Sequence, residues 1–78
     1  MIKEIAPQII IDPRIRFGKP TIKGTRLTVE EVLGALAGGM DFADVEEEYG
    51  INKKKILDVL NYAVGFLKGV EIKTFSLK

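Results

Sequence analysis

Thr28-Val29-Glu30-Glu31-Val32-Leu33-Gly34-Ala35-Leu36-Ala37-Gly38-Gly39 decides the fold, because it announces a helix at both ends. Thr28 can cap, and Glu31 stands three residues later to complete a capping box. Glu30 and Glu31 sit in the first turn, where the positive end of the helix favours carboxylates. Val29, Val32, Leu33, Leu36 and Ala37 recur at helical spacing and make one apolar face. Gly38-Gly39 stops the helix, since glycine readily takes the left-handed C-terminal position.

Two more helices follow at short intervals. Asp41 caps a second, from about Phe42 to Tyr49, which Gly50 ends; at eight residues it needs neighbours to hold it. Asn52 caps a third, expected to run to about Lys68. Ile56, Leu57, Leu60, Ala63, Val64 and Leu67 form its main apolar stripe, and Val59, Tyr62 and Phe66 a second one beside it. A helix apolar over more than half its circumference predicts contact with more than the two helices before it. After Gly69, the imperfect alternation from Val70 to Leu77 predicts a C-terminal strand, pairing with Ile9–Ile11 in the same chain or across a dimer.

Upstream, the first 27 residues are not helical. Ile9-Ile10-Ile11 reads as a short β-branched strand ended by Asp12-Pro13. Gly18, Pro20 and Gly24 then punctuate a basic arm, a loose hairpin at most. The expected fold is therefore mainly α: a three-helix, helix-turn-helix (homeodomain-like) core over 28–68. It carries an extended basic arm with a short β segment at 1–27 and a tail at 69–78, all in one domain.

The chain has 78 residues, no cysteine and no histidine. A domain of this size buries only about 60% of its unfolded surface, which predicts a homodimer. Without cysteine or histidine there is no disulfide staple, no common general base and no common metal ligand. No cofactor, no metal and no enzymatic activity are expected. No stretch approaches the roughly 20 apolar residues of a membrane span, and the start does not read as a signal peptide, so a cytoplasmic protein is expected.

The formal net charge of +1 conceals segregation. Residues 1–26 hold six Lys or Arg against two acids, residues 27–50 hold seven acids and no cation, and residues 51–78 again hold six Lys against two acids. Such a pattern speaks about partners and steering.

Two cationic features are candidates for double-stranded DNA. Lys53, Lys54 and Lys55, with Asn61 further along, lead the third helix, whose N-terminal residues would enter a major groove in a helix-turn-helix unit. Arg14, Arg16, Lys19, Lys23 and Arg26 mark the arm, which could follow phosphates or enter a minor groove. Each has a plainer reading: a structural three-helix core, and a solvated hairpin whose Arg26 pairs with Glu30 or Asp12. Asp58 beside Lys54, and the acidic run Glu46-Glu47-Glu48, would repel phosphate. Val59, Tyr62, Phe66, Glu46 and Glu47 are the candidate partner or dimer surface, which could dock a basic protein without any DNA.

The run from Ile11-Asp12-Pro13-Arg14 through Phe17-Gly18-Lys19-Pro20-Thr21-Ile22-Lys23-Gly24-Thr25-Arg26 to Val29 resembles the opening signature of domain-of-unknown-function family 433. Leu36-Ala37-Gly38-Gly39-Met40, Tyr49 before its turn, and the Ile56-to-Ala63 helix are similar to the rest of that pattern, over about residues 9–66. Asp41 departs from the serine often found there, and also caps. The resemblance implies a homeodomain-like fold and an antitoxin-like role: a small DNA-binding protein that neutralises a PIN-like nuclease toxin and represses its own operon. It makes Gly18, Lys19, Pro20, Gly24, Thr25 and Arg26 the signature residues. The alternative is a protein-interaction module that never touches DNA.

Overall fold

The computed structural model describes residues 1–75, and side-chain placements through residue 69. In chain order it has β1 (Lys3–Ala6), β2 (Ile9–Ile11), β3 (Thr21–Ile22), α1 (Val29–Ala37), α2 (Phe42–Tyr49) and α3 (Lys53–Phe75). A short left-handed turn at Arg16–Gly18 lies between β2 and β3.

The strands form one antiparallel sheet in the order β1-β2-β3. This corrects the expectation of a mainly α domain with a loose arm: the fold is α+β. The missing strand was β1, whose charged Lys3-Glu4 start hid it. Pro7-Gln8 turns the chain back, with Gln8 at φ 66, so that Lys3 lies opposite Ile11 and Ala6 opposite Ile9. An irregularity between Glu4 and Ala6 bends the edge strand. On the other side Ile9 faces Ile22 and Ile10 faces Thr21, and Thr21 is bridged to Thr28 at the start of α1.

The expected C-terminal strand is also corrected. α3 continues through Phe75, and β1 and β3 take the pairing edges of β2 that the tail was expected to fill. Gly69 does not end the helix; a glycine within a helix costs only about 1 kcal/mol against alanine. The last part of the expected strand, residues 76–77, lies outside the described residues.

The helix boundaries follow the local chemistry. Thr28 and Glu31 form the capping box on α1. Asp41 accepts from the Asp44 N–H at 2.9 Å, and Asn52 accepts from the Lys55 N–H at 2.9 Å. Gly39 and Gly50 take the positive φ values of 106° and 68° that end α1 and α2.

The core is the cluster Ile9, Ile22, Val29, Val32, Val45, Ile51, Ile56 and Val59. Every member is β-branched. Such side chains have few χ1 rotamers to lose on burial, which suits a core this thin. It joins the sheet to all three helices, so the N-terminal segment is part of the domain's interior.

Candidate functional site

The arm is tied down rather than free. Buried Asp12 accepts from the Arg14 backbone N–H at 2.9 Å and from its Nε and Nη2 at 3.1 Å each. This fork holds the Asp12 carboxyl below the usual carboxylate range and raises the Arg14 guanidinium further. Arg16 reaches back to α1: its Nη1 donates to Glu31 Oε1 at 2.9 Å and to the Arg26 carbonyl at 3.0 Å. The same Glu31 oxygen accepts from the Thr28 N–H at 2.9 Å and the Thr28 hydroxyl at 3.1 Å. Glu31 is therefore held below its ordinary value, first by the Thr28 N–H and then by Arg16.

Lys19 pairs with Glu30 at 3.3 Å and Lys23 with Glu4 at 3.6 Å. At the third helix, Lys54 pairs with Asp58 at 3.4 Å. Of the eight cations singled out for DNA, these five are engaged within the chain; Arg26, Lys53 and Lys55 form no ion pair among the described residues. Arg26 and Lys53 are exposed and Lys55 is half-buried, while Asn61 is exposed on α3. The pairing of Arg26 with Glu30 or Asp12 does not form: Arg26 contributes its carbonyl, and Lys19 and Arg14 take those acids.

The signature turn is a joint. Gly24, at φ 81, closes the bend after β3. The Thr25 hydroxyl donates to the Ile22 carbonyl at 2.8 Å and accepts from the Leu27 N–H at 3.0 Å. The Lys23 N–H bonds the Gln8 carbonyl at 2.8 Å and the Val29 N–H the Pro20 carbonyl at 3.0 Å. Gly24 and Thr25 thus lock the sheet to the start of α1.

The predicted partner surface divides. Val59 is fully buried in the core, since it faces the sheet and the other helices; it is a core residue, not a surface one. Tyr62 is half-buried and Phe66 is exposed. On α2, Glu46 is half-buried and Glu47 exposed, and Met40, Asp44, Glu47 and Glu48 line an acidic hollow. Between α1 and α3 runs an apolar groove of about 680 Å³, walled by Val29, Leu33 and Ala37 on one side and Tyr62, Phe66 and Leu67 on the other.

Phe17 was missed. Its ring is 98% exposed at the tip of the left-handed turn, with φ 60. The signal in the sequence was an aromatic residue between cations and directly before glycine.

The pattern described as DUF433, a family of proteins of unknown function, matches residues 9–63. The chain belongs to the DUF433 family. It is 34% identical over 53 residues to a Mycobacterium tuberculosis protein provisionally named antitoxin VapB45, aligning 68% of this chain with 22% of that one. It is 32% identical over 56 residues to the uncharacterized protein Rv2308 of the same organism, aligning 72% of this chain with 24% of the relative. The chain therefore spans under a quarter of either curated relative. A crystal structure of Rv2018 from Mycobacterium tuberculosis superposes with a TM-score of 0.62 at 34% identity, covering 69% of this chain and 28% of that one. In each case the aligned segment is a part of a longer chain. Among the described residues, no helix is long and apolar enough to cross a membrane.

Proposed function

We propose that this DUF433 domain is an antitoxin-type binding protein. It acts as a homodimer, by association rather than catalysis, and holds a nuclease toxin of the PIN-like class while contacting the DNA of its own operon. The likeness to the VapB45 relative, together with the family match, carries this reading. The geometry supports a division of labour. Lys53, Lys55 and Arg26, three cations that form no ion pair among the described residues, are the phosphate ligands, aided by the backbone N–H groups that open α3. The acidic hollow on α2 and the apolar α1–α3 groove offer surfaces to protein.

Titration of the upstream DNA at several salt concentrations tests the DNA half. With about four to six phosphates neutralised by the two copies, the log–log slope is expected near −4 to −5, from about −0.9 per phosphate. Lys53→Ala, which removes one cation from each copy, should reduce that slope by about two, and Arg14→Ala should leave it unchanged. Affinity no higher than for random DNA, with the toxin present, overturns it. Co-purification with the nuclease encoded beside the gene tests the other half. The second reading, a protein-binding module that leaves DNA alone, is favoured by the five engaged cations.

A further inference from the structure

Arg16, Phe17 and Gly18 are consecutive residues with φ of 51°, 60° and 80°. Two of them carry a Cβ, for which the left-handed region costs roughly 1–2 kcal/mol each. Such strain persists only where surrounding contacts over-determine it. They do so here: the Ile15 N–H bonds the Asp12 carbonyl at 2.8 Å, the Gly18 N–H bonds the Ile15 carbonyl at 3.1 Å, and the Lys19 N–H bonds the Arg16 carbonyl at 3.2 Å. The Asp12–Arg14 fork, the Arg16–Glu31 pair and the Lys19–Glu30 pair fasten the same segment from outside. The result is a rigid turn that holds a phenyl ring in water. The ring contributes nothing to the core of its own chain, so its fixed display points to a partner.

The partner's pocket is present on the same molecule. The α1–α3 groove is apolar, and Lys19 and Pro20 are among the residues that line it. Those residues follow Phe17 by two and three positions, so the ring is rooted within about 7 Å of the groove's edge along the chain. Its left-handed backbone leaves it 98% exposed and out of its own groove, while Phe66 on the groove wall is 63% exposed.

From this arrangement we infer that two copies pair about a two-fold axis, each inserting Phe17 into the α1–α3 groove of the other. The inference rests on the homodimer proposed above and assigns its interface. A knob beside a matching groove is self-complementary, as a two-fold interface requires. Charge agrees. The net charge of +1 adds little repulsion between copies, and the exposed acids Asp44, Glu47 and Glu48 occur with the exposed cations Arg26 and Lys53 on one chain. The cations flanking Phe17, Arg14, Arg16 and Lys19, are each paired with an acid of their own chain, so the ring arrives in a neutralised setting that suits an apolar protein pocket better than a phosphate backbone. Burying Phe17 and Phe66 removes on the order of 300 Å² per copy, at about 150–250 Å² per aromatic side chain. That is well under the roughly 800 Å² per partner of a standard interface, so the pairing is expected to be weak and concentration-dependent.

Sedimentation equilibrium of the full chain, from low micromolar to near-millimolar concentration, tests the inference. Phe17→Ala should raise the dimer dissociation constant by about tenfold or more, the usual effect of losing an aromatic anchor. Gly34→Leu fills the groove from within and should do the same. A Cβ at Gly34 meets nothing within 4 Å, so a side chain can start there without a clash, and circular dichroism checks that the Gly34→Leu variant is folded. The chain has no cysteine, so Phe17→Cys protein mixed with Gly34→Cys protein should give a mixed disulfide under oxidation. A dimer whose dissociation constant neither variant moves, and which yields no mixed disulfide, overturns this interface and leaves the homodimer standing. A chain that stays monomeric overturns both. A monomer whose toxin or DNA binding is lost with Phe17→Ala assigns the ring to that partner and overturns the pairing of copies.

Discussion

The Arg16 guanidinium lies 2.9 Å from a Glu31 carboxylate oxygen that also accepts from both the N–H and the hydroxyl of Thr28. One oxygen thus completes the α1 cap and pins the basic turn to the helix. Charges that read in the sequence as an arm for DNA are spent in part on assembling the domain.

This makes Glu31 worth more than its ion pair. Glu31→Ala removes the capping box together with the anchor of Arg16, and should cost about 1–2 kcal/mol in urea denaturation, the range for lost caps. Arg16→Ala should cost less, near the 0–1 kcal/mol of an exposed pair, because Thr28 keeps its partner. An Arg16 variant weaker than the Glu31 variant contradicts this ordering.

Acid should unfold the domain through its carboxylates. Asp12 is held below its ordinary 3.8 by the Arg14 side chain and N–H. Glu31 is held below 4.5 by Thr28 and Arg16, and Glu4 below 4.5 by the Gln8 N–H and Lys23. With folded-state values under the unfolded ones, their stabilisation is complete above the ordinary values and disappears as pH falls through the lowered ones. With no histidine in the chain, the melting temperature should stay level from pH 8 to about 5 and fall below that. A step between pH 6 and 7 contradicts this assignment.

Thr21 is buried beside Ile22 in β3, and among the described residues its hydroxyl has no hydrogen-bond partner. An orphaned buried polar group costs about 1–3 kcal/mol. Thr21→Val keeps the β-branched shape and should raise the urea midpoint, by about 1 kcal/mol of stability. A loss of stability would show that the hydroxyl finds a partner in solution.

Phe17→Gly should separate stability from association. It relieves a left-handed backbone without uncovering any core, so monomer stability should rise by about 1 kcal/mol while self-association weakens. The thermal melt of dilute protein reads the first effect and sedimentation the second. A less stable monomer would mean that the ring packs on its own chain.

The three helices, their caps and their glycine stops were legible because each rests on residues a few positions apart: Thr28 with Glu31, Asp41 with Asp44, Asn52 with Lys55. The strand Ile9–Ile11 was legible from its β-branching. Its partners were not, since β1 begins with charged residues and pairing is a long-range choice. Gly69 misled because a local stop signal lost to the continuation of α3.

Which charges are free was decided by the tertiary structure. Arg14, Arg16, Lys19, Lys23 and Lys54 look alike in sequence to Arg26, Lys53 and Lys55, and only the folded neighbours separate the engaged from the available. The position of Phe17 was decided in the same way, because a ring displayed on a left-handed turn depends on bonds from Asp12, Arg26 and Glu31. The sequence by itself determined where helices start and stop, through contacts spanning a single turn. The sheet, the engagement of Arg16, Lys19 and Lys23, and the displayed ring follow from contacts between distant residues, whose free energy exists only once the chain has closed on itself.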